Sequence, residues 1–150
     1  MSHRRYDWHE RIKAVEREYW CASLAVSRLS QAAVRNALVL GPTLTSSDVV
    51  LTESNLTGTY LIRMFAEFES ALRAFWLTIR PRSRPATLHL LNQIGGVCNV
   101  PAKIVTVTQQ VRAYRNALVH ELNSTATPVS MAEARSSLQH FLSRLPNEWS

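Results

Sequence analysis

Between Leu56 and Ile79 the large apolar residues Leu61, Phe65, Phe68, Leu72, Phe75 or Trp76, and Ile79 recur every three or four positions. That spacing fits the period of a helix and not the two-residue alternation of a strand, so this stretch predicts a core helix. A stripe of this bulk is stable only when other elements cover it. The flanking sequence supplies more helices. From about Tyr6 to Leu40, Trp8, Ile12, Val15, Tyr19, Val26, Leu29, Ala33 and Ala37 repeat at mostly three- and four-residue steps. This predicts one long amphipathic helix ending at Gly41-Pro42, where glycine caps and proline cannot continue. Thr43 to Asn55 is rich in Ser and Thr and reads as a connecting loop, with a short strand or a helical turn equally possible.

Beyond Ile79 the stretch from Arg80 to Pro85 breaks the second helix with two prolines and exposes three arginines. A shorter helix is expected from Thr87 to Ile94, ending at Gly95-Gly96. Pro101 suits a first helical position, and a helix can run from there to about Glu121. Its Val and Thr content lowers its intrinsic propensity, so packing must support it. Ser130 and Glu133 have the reciprocal spacing of a capping box and open a last helix with Leu138, Phe141, Leu142 and Leu145 facing inward. Four or five helices with short connections, and no convincing alternating strand, give an all-α helical bundle. At 150 residues the chain is most simply one domain spanning 1–150.

Two cysteines, Cys21 and Cys98, are too few for a disulfide framework or a zinc site. His3, His9, His89 and His140 form no metal-ligand spacing, and no cofactor is expected. The polar start of the chain and the lack of a long apolar run suggest a cytoplasmic protein with no membrane partner. Asn55-Leu56-Thr57 and Asn123-Ser124-Thr125 match the glycosylation pattern but read as a helix approach and a turn. Net charge is +6, and 15 of the 17 basic residues are Arg. Arginine offers a planar fork suited to phosphate. The bias fits a nucleic-acid or nucleotide partner and fits a merely solvated surface equally well. Trp8, Trp20, Trp76 and Trp149 could stack on bases, although the first three fit packed helix faces better.

Five residues, RNALV, occur twice, at Arg35 and at Arg115. In the second copy Arg112, Asn116 and His120 lie four residues apart along nearly one helix face, with Arg115 beside Asn116. In the first copy Ala32 and Leu40 stand where the second has Arg112 and His120, so packing and a helix end explain it. The second copy focuses two guanidiniums, an amide and an imidazole on one patch. With an RNA phosphodiester between Arg115 and His120, the imidazole handles a proton at the 2′-hydroxyl or the leaving oxygen. The guanidinium stabilises charge on the pentacoordinate phosphorus, and no metal is required. Arg112, Tyr114 and Arg73 are candidate substrate-binding residues. The alternative is that Arg115 and His120 simply serve the end of a structural helix.

VRAYRNALVHE resembles the signature of the HEPN superfamily, an Arg followed after four to six residues by His, often with Asn directly after the Arg. The matching residues are Arg115, Asn116 and His120. FAEFESALRAFW is similar to the preceding core helix of such proteins, where an acidic residue often supports the motif arginine. The likeness covers roughly Leu56 to Leu145. It implies a helical bundle that dimerises with the two motifs facing each other across a cleft, commonly a metal-independent endoribonuclease of toxin-antitoxin or phage-defence systems. RNA, a second copy and an antitoxin or regulatory protein are the partners so implied. Other members are non-catalytic modules that bind nucleotide, RNA or protein. For the acidic support, Glu69 lies at the margin of the apolar stripe and is favoured over Glu67. Its competing assignment is an i,i+4 pair with Arg73. Glu121 is a further candidate.

Overall fold

A computed structural model describes residues 3–120 and 125–150. Five helices form an all-α bundle: α1 (Arg5–Arg35), α2 (Ser46–Ile79), α3 (Thr87–Val97), α4 (Ala102–His120) and α5 (Met131–Leu142). Strands β1 (His3–Arg4) and β2 (Glu148–Trp149) add one antiparallel pairing, His3 opposite Trp149 and Arg4 opposite Glu148. Runs of two residues are too short to carry an alternating pattern, so periodicity does not reveal them.

The first long helix is shorter than its apolar repeat suggests. α1 stops at Arg35 because Asn36 is extended, and the Asn36 side chain accepts a bond from the Leu38 N–H to start a 3-10 turn over Ala37–Leu40. Gly41 follows at φ 71°, a left-handed conformation open to glycine. The expected loop from Thr43 to Asn55 is largely helix. Thr45 caps α2 through a reciprocal box with Asp48, so α2 begins at Ser46. Hydroxyls that read as loop residues bond back into the helix, Thr52 to the Asp48 carbonyl and Ser54 to the Leu51 carbonyl.

The core lies where all five helices meet. Leu61, Phe65, Phe68 and Leu72 of α2 are sealed between Ile12 and Val15 of α1, Leu90, Leu91 and Ile94 of α3, Val111 of α4, and Leu138, Phe141 and Leu142 of α5. Phe68 meets Phe141 edge to face, with ring centroids 5.6 Å apart and planes at 90°. Trp8, Trp76 and Trp149 are buried as well, whereas Trp20 is exposed. Trp149 is thus a packing residue, and Trp20 is the indole that solvent reaches. α3 and α4 approach closely at Gly95, where a Cβ would stand 3.0 Å from Val105 Cγ2. The low intrinsic propensity of α4 is offset by burial of Thr108 and Val111.

α1 and α2 run antiparallel, joined by Arg11–Glu67 and Glu18–Arg63 ion pairs and by the Tyr19–Thr57 hydroxyl contact of 3.1 Å. Their far ends extend beyond the rest of the bundle as an arm with its own small cluster of Ala33, Leu40 and Val49.

Both capping boxes have measurable consequences. The Thr45 hydroxyl first, and its backbone N–H second, hold the Asp48 carboxyl below its ordinary range. The Ser130 backbone N–H first, and its hydroxyl second, do the same for Glu133. Ser130→Ala is expected to lower stability by about 1 kcal/mol, read from the urea midpoint. A carboxyl whose folded pKa is depressed stabilises the fold above its unfolded pKa and ceases to as pH falls through the folded value. The gap between this variant and the parent should therefore narrow in acid.

Candidate functional site

α4 ends at His120, and the motif occupies its last three turns. Arg115 is half-buried. Its Nη1 donates to Asn116 Oδ1 at 3.0 Å, and its Cζ lies 5.9 Å from the Phe65 ring centroid on α2. The ring face attracts the cation while its bulk strips water from one side of it. The Nε is buried with no hydrogen-bond partner, and the remaining guanidinium hydrogens have none among the described residues. Arg115 therefore keeps donor capacity that the fold does not use.

Helix geometry separates Arg115 from His120 by about 7.5 Å along the axis and about 140° around it. Asn116 bridges that angle, because it lies one turn below His120 on the same face. The bond to Asn116 draws the Arg115 tip toward that row. His120 is exposed, and no hydrogen bond or ion pair joins it to Arg115 among the described residues. The structure thus unites Arg115 with Asn116 and leaves His120 open to solvent at the end of the row.

Arg112, the lower member of the row, donates through Nε to Gln109 Oε1 at 2.7 Å. Gln109 in turn donates to the Leu88 carbonyl and to Asn92 Oδ1, each at 3.0 Å, which ties Arg112 toward α3. Tyr114 faces the other way. With Leu118 it forms one wall of a groove of about 300 Å³ whose opposite wall is Ser54, Asn55 and Thr59 of α2. The Leu118 side chain packs over Gly58 of α2, where an added Cβ would lie 3.4 Å from Leu118 Cδ2, an ordinary contact distance.

Glu69 serves a different junction. Its Oε1 accepts from Arg73 Nε at 2.9 Å and from Thr87 Oγ1 at 2.8 Å, while Arg73 Nη1 donates to the Pro85 carbonyl at 3.2 Å. The i,i+4 partner on its own helix holds it, and the cluster anchors the start of α3. The expected Glu69–Arg115 support is not what the geometry gives, since the motif arginine rests on the Phe65 ring and Asn116 instead. Arg73 is likewise bound into this junction rather than to the end of α4. From Gly58 to Arg73, α2 rises about 22 Å. Glu69→Ala is expected to cost about 1 to 2 kcal/mol of stability, measured by denaturant unfolding, because it leaves Arg73 and Thr87 without their shared acceptor.

No family model, curated protein or solved structure matches this chain. The arginines of the proline-bounded loop lie beyond Arg73, at the end of α2 opposite the motif. Arg84 folds onto its own loop, donating to the Pro81 and Ser83 carbonyls at 2.8 and 3.0 Å. Among the described residues no three His, Cys, Asp or Glu side chains converge as a metal site, and no helix is long and apolar enough to cross a membrane. Burial pushes the Cys98 thiol up, which makes it a poor nucleophile. Glu121, Asn123 and Ser124 lie outside the described residues. Phe65, as the platform of Arg115, is the contributor that sequence reasoning placed only in the core. Its signal was its place in the apolar stripe, which does not distinguish packing from support of a cation.

Proposed function

We propose that this protein is a metal-independent endoribonuclease of HEPN type, acting through Arg115 and His120 at the end of α4. The observation that carries this reading is the Arg115–Asn116 bond of 3.0 Å, which draws a guanidinium with unused donors toward the row that ends in the exposed His120. A scissile phosphate held by Arg115 would place its ribose within reach of the imidazole. His120 takes the 2′-hydroxyl proton or delivers one to the leaving 5′-oxygen, and Arg115 neutralises the charge that accumulates on phosphorus. Attack of the 2′-oxygen forms its bond to phosphorus as the bond to the 5′-oxygen breaks. The products are a 2′,3′-cyclic phosphate and a 5′-hydroxyl. Asn116 positions Arg115, and Tyr114 borders the groove along which the strand would continue. Two copies facing each other across a cleft, a cytoplasmic setting, and a toxin-antitoxin or phage-defence role belong to the same proposal.

The test is incubation of purified protein with mixed RNA in EDTA and analysis of the product termini. Cyclic phosphate ends support the reading; intact RNA rejects it. A second reading is favoured by the exposure of His120, which no hydrogen bond or ion pair joins to Arg115 among the described residues: a non-catalytic module that binds RNA, nucleotide or a protein through the same basic end. It predicts RNA affinity that falls on removal of Arg115, with no cleavage.

A further inference from the structure

The positive charge of this chain is confined to one stretch. Between Glu69 and Glu121 no Asp or Glu occurs, and seven of the 17 Lys and Arg fall there, while the other ten share the rest of the chain with all 11 acids. The net charge of +6 therefore arises wholly from the end of α2, the proline-bounded loop, α3 and α4. These consecutive elements build one wall. α3 joins α2 through the bonds of Arg73 to Pro85 and of Thr87 to Glu69, and joins α4 through Gln109, which donates to Leu88 and Asn92. The acid-bearing α1 lies across α2 from it. Glu67 meets Arg11 of α1, and two residues on, about 200° around the helix, Glu69 meets α3. Glu69, the carboxylate between α2 and α3, is occupied by Arg73 and Thr87.

We propose that this wall carries a single RNA strand away from the α4 motif, with Arg80 and Arg82 as remote phosphate contacts. The proposal rests on the reading of that motif as an RNA site and adds a binding surface to it. Arg112 and Arg115 stand at one end of the wall. At the other, Arg80 and Arg82 are exposed, and neither guanidinium has a hydrogen bond or ion pair among the described residues, whereas Arg84 folds onto its own loop. Two groups of cations with unused donors suit a chain of phosphates rather than one anion. Arg115 rests on Phe65, and Arg80 follows on the same helix after a rise of about 22 Å. A stacked strand advances about 3.4 Å per phosphate, so roughly six nucleotides cover that distance. In-line attack by a 2′-oxygen needs a nucleotide free to align, which makes an unpaired strand the occupant. The groove beside Tyr114 takes the strand on one side of the scissile phosphate, and the wall takes it on the other.

Strands methylated at the 2′-oxygen bind without being cut, so fluorescence anisotropy with them separates this surface from the chemistry. In EDTA and about 0.1 M salt, the full chain is expected to bind a strand of about 12 nucleotides more tightly than one of about 4. Arg80→Ala with Arg82→Ala should raise the Kd of the longer strand at least about tenfold and reduce its salt slope by about 1.4, leaving the shorter strand unaffected. Arg28→Ala with Arg35→Ala removes the same charge from α1, outside the wall, and should change neither. Longer-strand affinity that the loop variant leaves unchanged, or that both double variants lower equally, overturns the wall as the path. A parent that binds no RNA overturns it too and assigns the wall to an acidic protein surface. Cleavage tells the two readings apart. Dependence on Arg80 and Arg82 in a chain that leaves RNA intact rejects the nuclease and supports the path; cyclic phosphate ends without that dependence support the nuclease and overturn the path.

Discussion

Replacing His120 with Ala is expected to reduce RNA cleavage by at least about a hundredfold, the usual contribution of a positioned proton-transfer group. Arg115→Ala should cost about as much or more, because the charge on phosphorus then has no fixed counter-charge. Arg115→Lys is a sharper test. A lysine keeps the charge but lacks the planar fork that bonds Asn116 while presenting further donors, so activity should stay close to that of the Ala variant. His120 is exposed at the helix end, and its removal should leave circular dichroism and the unfolding midpoint almost unchanged. Cleavage that persists in both Ala variants and stops on addition of EDTA would exclude the α4 site as its source.

The largest effect on stability is expected at Phe68. Its side chain is fully buried at the meeting point of α2 and α5, with Phe65 at 5.7 Å and Phe141 at 5.6 Å between ring centroids. Phe68→Ala removes that burial, the aromatic contacts and the packing around the resulting void, and should cost about 3 to 5 kcal/mol by denaturant unfolding. That is a large share of the roughly 5 to 15 kcal/mol by which domains are stable. A loss below about 1 kcal/mol would mean that the core closes over the gap, against the packing described here.

What could be read from the sequence follows from where burial is one-sided. The stripe from Leu61 to Trp76 and the capping box at Ser130 were legible because an apolar face and a pair of reciprocal hydrogen bonds each leave a periodic trace. The first turns of α2 were not. Of its residues from Ser46 to Asn55 only Val49 is buried, so no repeat betrays the helix, and the serines and threonines mimic a loop. The clue available was Thr45 followed three residues later by Asp48. At the other copy of RNALV the reading as packing and a terminus agrees with the structure: Asn36 ends α1 and Leu40 is buried, whereas Asn116 stays within α4.

The candidate site was legible in part. Position on a helix face groups Arg112, Asn116 and His120, and the structure retains that row while turning Arg112 toward Gln109. Glu69 shows the limit of such reasoning. Its place at the margin of a stripe permits two partners, and the choice depends on Thr87 and Pro85, which reach it only through the turn into α3. No spacing within α2 records that turn.

The arm also divides the molecule by how readily its backbone opens. Near its tip, a small cluster of Ala33, Leu40 and Val49, with half-buried Val26 against it, closes α1 onto α2, whereas the lower half of α2 is walled in by four other helices. Protection of amides from hydrogen exchange should therefore be graded along one continuous helix, low near Val49 and high near Phe68. A helix that is a single element by its hydrogen bonds is in this respect two cooperative units.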